Sequence, residues 1–232
     1  MKLSIMQPYF FPYIGYFQLI SATNQFVIYD NIKYTKKGWI NRNRFLLNSG
    51  SATFSIPLTR DSDFLDIRDR RISSEYRREK LIRKLEAAYQ YAPQFESTFP
   101  LILEIINNSS DSLFEYVKNS VQRLCHHLDI DTKIVISSQV MIDHQLKSKE
   151  KILALCQKLG ADEYINSIGG LDLYSFEAFQ ASGVTLKFIK TKPIQYPQFE
   201  KDFIPSLSII DVLMFNPLSQ VKQWVRVDYD LI

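Results

Sequence analysis

Five cations and two aromatic rings share the stretch from Asn31 to Arg44, and no carboxylate accompanies them. The cations are Lys33, Lys36, Lys37, Arg42 and Arg44; Tyr34 and Trp39 are interleaved, and Gly38 supplies flexibility. An arginine grips phosphate through two parallel hydrogen bonds, and an indole or phenol stacks on a ring. Lys36, Lys37 and Arg42 are therefore expected to hold a phosphate or diphosphate. Tyr34 and Trp39 would line a ring pocket, and Asn41 and Asn43 would add donors. The alternative is a solvated basic loop. Nucleic acid is a poorer partner, because one short loop covers little backbone and the net charge of +3 over 232 residues is mild.

Three other groups stand beside this loop. Asp30 closes the β-rich run Phe26-Val-Ile-Tyr-Asp. A carboxylate at a strand end can orient a ribose hydroxyl, bind a metal through water or act as a base; it can equally pair with Lys33 or an arginine nearby. Asp30 and Lys37 are the candidate catalytic residues. In Asn166–Tyr174, Gly169 and Gly170 permit positive φ and a nest of N–H groups for an anion, with Tyr174 beyond them; a plain strand-to-helix turn is the alternative. In Gln7–Tyr16, Gln7, Tyr9 and Tyr13 can present polar tips to a ligand while Gly15 permits close backbone approach. Alternatively the aromatics pack a helix on a sheet and Pro12 begins that helix. Phe10, Phe11 and Phe17 read as core.

Other chemistries have no support. No Ser–His–Asp or Cys–His set can be assembled, and no phosphate-binding glycine loop or complete dinucleotide fingerprint is present. Cys125 and Cys156 sit among apolar neighbours and read as reduced, buried thiols of a cytoplasmic protein. No Cys/His spacing resembles a zinc site, so no metal is expected, and no cofactor is named by the pattern. The nine basic and six acidic residues of Arg60–Lys84 read as a solvated, self-pairing surface. The N-terminus lacks the apolar run of a signal peptide, and no apolar stretch is long enough to span a membrane.

The elements that must position these groups are legible from periodicity. Residues 3–6 and 25–29 read as strands around a helix at 13–22. A hairpin is expected with its turn at Asn48-Ser-Gly-Ser. Helices are expected over 74–91, over 100–106 and after an Asp111 cap. Then follow a strand at 132–137, a helix at 148–159 capped by Ser148 and closed by Gly160, a strand at 163–166, a helix at 173–181 closed by Gly183, a strand at 185–189 and a final helix at 207–215. Alternating β and α units imply a parallel sheet with right-handed crossovers. The expected fold class is α/β: a Rossmann-like, mainly parallel sheet with helices on both faces, in a single domain carrying a helical insertion or cap at about 74–128. Ligands of such sheets bind at the carboxyl edge, where the strand order reverses.

The segments Gln7-Pro-Tyr-Phe-Phe-Pro-Tyr-Ile-Gly-Tyr-Phe17, Tyr34-Thr-Lys-Lys-Gly-Trp-Ile-Asn-Arg-Asn43, Gly169-Gly170 and Ser208-Ile-Ile-Asp211 together resemble the WbqC-like family, over nearly the whole chain. That resemblance implies a bacterial role in O-antigen and other surface-polysaccharide synthesis. It implies cytoplasmic work on nucleotide-activated sugars, in contact with other enzymes of that synthesis, and a glycyl- or aminoacyl-transferase acting on an amino sugar. A second resemblance concerns position. Tyr13-Ile-Gly-Tyr16 stands where nucleotidyltransferases carry His-x-Gly-His, with Gly15 matching and tyrosines in place of both histidines. It marks Tyr16 as a further candidate for ligand contact. The expected partner is thus a small phosphorylated molecule, a nucleotide sugar; the alternatives are a nucleotidyltransferase-like enzyme that uses ATP and a non-catalytic nucleotide-sugar-binding or scaffold protein.

Overall fold

The computed structural model describes residues 1–48, 50–200 and 202–232. In chain order the elements are β1 (Lys2–Met6), α1 (Ile14–Ser21), β2 (Gln25–Ile28), β3 (Arg42–Leu47), β4 (Gly50–Ser55), α2 (Arg78–Tyr89), α3 (Phe95–Ile106) and α4 (Leu113–His127). They continue as β5 (Lys133–Ile136), α5 (Ser148–Leu159), β6 (Glu163–Ser167), α6 (Phe176–Ala181), β7 (Thr185–Thr191), α7 (Ile209–Phe215), α8 (Leu218–Val227) and β8 (Tyr229–Leu231). Six strands form one sheet in the order β5-β2-β1-β6-β7-β8; β3 and β4 form a separate antiparallel hairpin. All pairings in the large sheet are parallel except β7 with β8.

Numbered within the sheet alone, this is the doubly wound order 3-2-1-4-5-6. The N-terminal β1-α1-β2 unit leads one way to β5, and β6 and β7 extend the other way. The order therefore reverses between β1 and β6.

The period of two explains why both faces are covered. On β1, Leu3 and Ile5 point into the core shared with Ile152, Leu155 and Cys156 of α5 and Phe179 of α6. On β2, Phe26 and Ile28 point the other way, into the core shared with Phe17 and Ile20 of α1, Val121 and Leu124 of α4, and Val221 and Val225 of α8. Val27 between them belongs to the first core. The stripes of α2, α3 and α4, including Leu85, Ile102 and Val117, enter the same core as α1. No helix among the described residues is long and apolar enough to cross a membrane.

Several local readings are corrected. The helix expected over 74–91 spans Arg78–Tyr89, because Ser73 first makes its own turn: its carbonyl accepts from Tyr76 N at 3.0 Å and its hydroxyl from Glu75 N at 3.2 Å. Pro100 does not begin a helix but sits inside α3 on an exposed face, where water can satisfy the carbonyl it leaves unpaired. Ser112, not Asp111, caps α4, accepting from Glu115 N; Asp111 instead pairs with Arg71 at 2.9 Å. Ser148 is the first residue of α5, at φ 46°, and its side chain caps nothing. The stretch 168–173 is a 3-10 turn, and α6 starts only after the Ser175 cap. Two elements escaped the sequence: α8, and the edge strand β8, whose three residues are too few for a pattern. In the hairpin, Asn48 takes φ 53°, a conformation asparagine tolerates; Ser49 lies outside the described residues.

Candidate functional site

The turn after β1 is pinned by residues distant in sequence. Phe11 has φ 44°, unusual for a bulky residue, and is fully buried. The following Pro12 disfavours right-handed helical geometry at Phe11, and the conformation costs about 1–3 kcal/mol that its surroundings must offset. Asn43 Nδ2 donates to the Phe11 carbonyl at 2.8 Å and to the Phe10 carbonyl at 3.4 Å. Ser208 Oγ donates to the Phe11 carbonyl at 2.7 Å, and Ile209 N to the Pro12 carbonyl at 2.8 Å. Phe10 N donates to the Ile40 carbonyl at 3.1 Å. The Phe10 and Phe11 rings lie 4.6 Å apart and both meet the edge of Phe54. Helix α1 consequently starts at Ile14 with Tyr13 at its cap, and Pro12 precedes the cap rather than opening the helix.

Between this turn and the ends of β6 and β7 lies a cleft of about 570 Å³, at the point where the strand order reverses. Tyr9, Tyr13 and Tyr16 form its aromatic side. The Tyr16 hydroxyl donates to the Gln7 carbonyl at 3.0 Å, and its ring packs on Tyr9 and Phe26 at 5.5 and 5.4 Å. Burial raises the pKa of all three phenols, that of Tyr16 well above 10. Gly15 is needed for packing. A Cβ there would lie 2.7 Å from Thr191 Oγ1 and 2.9 Å from the Tyr13 ring, so the close approach is to the protein's own side chains.

Trp39, Asn43 and Arg44 enter the cleft from the hairpin side, and Lys190 and Thr191 from the end of β7. Arg44 Nη2 donates to the Ser206 carbonyl at 3.0 Å, while its Nε is buried without a hydrogen-bond partner. No carboxylate is among the residues lining this cleft. The arrangement can therefore take an anion beside a planar or apolar ring.

The other sequence-predicted residues are placed elsewhere. Lys36 is paired with Asp63 at 2.6 Å, so the basic loop is partly neutralised by the segment that follows the hairpin. Lys37 is exposed and does not line the cleft. The Arg42 guanidinium donates to the carbonyls of Gly38 and Lys37 at 3.0 and 2.6 Å, shaping the loop that presents Trp39. The Asn41 amide joins the Tyr34 hydroxyl to the Ile56 carbonyl, and Tyr34 is itself buried. Gln7 does not line the cleft; its main-chain carbonyl accepts from the Tyr16 hydroxyl behind it.

Asp30 is buried at the ends of β2 and β5. It accepts from Ser137 Oγ at 2.7 Å, Ser138 N at 2.9 Å and Ser138 Oγ at 2.6 Å, and it does not line the cleft. Neither Gly169 nor Gly170 has positive φ, so the expected nest gives way to a 3-10 turn. Gly170 is required by a neighbour instead: a Cβ there would sit 2.4 Å from Asn166 Nδ2. Gly170→Ala is accordingly expected to lose about 1–3 kcal/mol of stability in urea unfolding, whereas Gly169→Ala, which meets open space, should change little. Tyr174 packs edge-on against Tyr164 and Phe179 rather than in the cleft.

As read, the sequence does not point to Lys190, Thr191 or Ser206; Ser167 lies inside the Asn166–Tyr174 segment, and Arg44 in the basic loop but outside the set expected to hold phosphate. The signal for the first two was present: β7 was ended at Ile189, and the next two residues continue the strand to the same carboxyl edge. Ser206, with φ 57°, lies in an aperiodic stretch that carries no such signal.

Among the described residues, no group of three or more Asp, Glu, His or Cys is arranged to hold a metal ion. The doubly wound sheet, with a cationic, aromatic-walled cleft at its reversal point, defines an α/β protein whose cleft lies where sheets of this kind offer a crevice. The chain belongs to the WbqC-like protein family, whose model matches residues 7–223. It is also similar to the uncharacterized protein Rv1507c of Mycobacterium tuberculosis, with 28% identity over 233 residues and 97% of each chain covered. No solved structure matches it.

Proposed function

We propose that the cleft binds a nucleotide-activated sugar and that the protein joins an acyl or aminoacyl group to an amine on that sugar, in bacterial surface-polysaccharide synthesis. The observation that supports this reading is the pairing of Arg44 and Lys190 with Trp39, Tyr9 and Tyr13 in one cleft lined by no carboxylate. A diphosphate suits the two cations, and a base or sugar ring suits the aromatic wall. In the reaction, the sugar amine attacks the acyl carbonyl, the bond from that carbonyl to its carrier breaks, and the amine proton leaves with the carrier. A donor activated elsewhere fits better than ATP used directly, because the Tyr16 hydroxyl is engaged by the Gln7 carbonyl rather than free for a phosphate.

Calorimetry with UDP-N-acetylglucosamine and UDP tests the binding step. Saturable binding is expected, with Trp39 fluorescence changing in the wild type and not in Trp39→Phe. Arg44→Ala should weaken affinity about 10- to 100-fold, the effect of losing a charged hydrogen bond. Absence of binding across a panel of nucleotide sugars would remove the reading. A second reading, a nucleotide-sugar binding protein without catalysis, is favoured by the lack of any Asp, Glu, His or Cys among the residues lining the cleft. Formation of a new amide, followed by mass spectrometry with candidate donors, separates the two.

A further inference from the structure

A second cavity, of about 610 Å³, adjoins the cleft and shares Tyr13, Thr191 and Ser206 with it as a common wall. Its far side is built by the long connection between β7 and α7. Long connections without secondary structure of their own are uncommon in compact proteins and are frequently functional. Its described residues are held at several points. Lys192 N donates to the Asp228 carbonyl at 3.0 Å, and Tyr196 Oη and Gln198 Nε2 each donate to Asp211 at 2.7 Å. The Ser206 carbonyl accepts from Arg44.

The two cavities differ in charge. The first has Arg44 and Lys190 and no carboxylate. Among the described residues, those lining the second include Asp202 and Lys192, and the Lys192 ammonium lies 3.6 Å from Asp230. Gln195 adds an amide to the same wall. The common wall carries hydroxyls: Thr191 Oγ1, which donates to Gln18 Oε1 at 2.6 Å, the Tyr13 phenol beside it, and Ser206.

We propose that the second cavity is a binding site for a small molecule bearing a primary ammonium group, held by Asp202 next to the ligand of the first cleft. Its role as the site of a second substrate rests on the nucleotide-sugar reading of the first cleft. Tyr13, Thr191 and Ser206 line both cavities, so ligands held in the two would lie next to one another there. This is the juxtaposition that a two-substrate transfer needs.

Amide chemical shifts of the 15N-labelled full chain test this, with UDP as probe for the first cleft and ethanolamine for the second. UDP should perturb the amides of Trp39 and Lys190. With UDP saturating, ethanolamine should perturb those of Gln195 and Phe203, and acetate should not. Asp202→Asn, a substitution at an exposed side chain, should weaken ethanolamine binding about tenfold and leave the UDP titration unchanged. If ethanolamine leaves those amides unmoved, or binds Asp202→Asn as well as wild type, the second site is refuted while UDP binding still stands. If UDP leaves the first cleft unperturbed while ethanolamine acts through Asp202, the ammonium site stands and the nucleotide reading falls.

Discussion

Asp211→Ala is expected to lose about 3–5 kcal/mol of folding stability, because it strands three hydrogen-bond donors and each unsatisfied buried group costs about 1–3 kcal/mol. Asp211 is fully buried in α7 and accepts hydrogen bonds from Tyr89 Oη at 2.9 Å, Tyr196 Oη at 2.7 Å and Gln198 Nε2 at 2.7 Å. Alanine leaves all three donors without a partner, and the Tyr89 hydroxyl, which also accepts from Leu46 N, loses its anchor to the hairpin. Asparagine keeps one acceptor but turns a donor towards donors, so Asp211→Asn should cost less, about 1–3 kcal/mol.

The pH dependence is the second readout of the same residue. Burial pushes the Asp211 carboxyl above its ordinary 3.8, and the three donors offset only part of that. Between the unfolded and the folded value, the native state holds a proton that the unfolded chain has lost. This group's contribution therefore makes the fold more stable as pH falls through that window and less stable as pH rises through it. Asp211→Asn should remove that slope. Urea unfolding of both variants between pH 4 and pH 8, compared with wild type, measures loss and slope together; an Asp211→Ala variant as stable as wild type would mean the network carries no net stability.

The second large effect is expected at Asn43. Its amide donates to the carbonyls on which the Phe10–Phe11 turn depends. Asn43→Leu withdraws those donors inside the protein and should cost about 2–3 kcal/mol. Asn43→Asp should cost more, since a carboxylate oxygen would then face the Phe11 carbonyl at 2.8 Å. Ser208 Oγ donates to that same carbonyl, so a double-mutant cycle of Asn43→Leu with Ser208→Ala should show coupling of about 0.5–3 kcal/mol. Strict additivity would contradict a shared clamp. Because the turn carries Tyr9 and Tyr13 into the cleft, and Asn43 Oδ1 accepts from Arg44 N at 2.9 Å, Asn43→Leu should also weaken ligand binding in calorimetry. A variant that binds normally would separate the turn from the site.

These effects recast the segments that carry the family resemblance. In sequence, Gln7–Phe17 and Tyr34–Asn43 read as separate ligand-facing segments and Ser208–Asp211 as part of a helix. In the folded protein they meet at the Phe11 carbonyl, where Asn43 and Ser208 both donate. Much of their polar content is therefore internal: Asn41 ties Tyr34 to β4's exit, Arg42 closes its own loop, and Asp211 anchors Tyr89 and Tyr196. What lines the cleft is the aromatic wall, Trp39, and the cations Arg44 and Lys190.

The sheet was legible because strand alternation and Gly160 and Gly183 closures are local signals written in consecutive residues, and β1, β2, β5, β6 and β7 all fall where that pattern puts them. The edge of the sheet at which to look followed from the same reading. Which residues face the cleft did not. A cation in a loop has the same identity whether it is paired, as Lys36 is with Asp63, or lines a cavity, as Arg44 does. A buried carboxylate at a strand end looks like a base until Ser137 and Ser138 are seen to occupy it. The amino-acid sequence by itself determined the family and the parallel α/β layering. The tertiary structure alone decided which polar groups are satisfied internally and which are left for a ligand, because hydrogen-bond partners more than a hundred residues apart are set by packing rather than by local pattern.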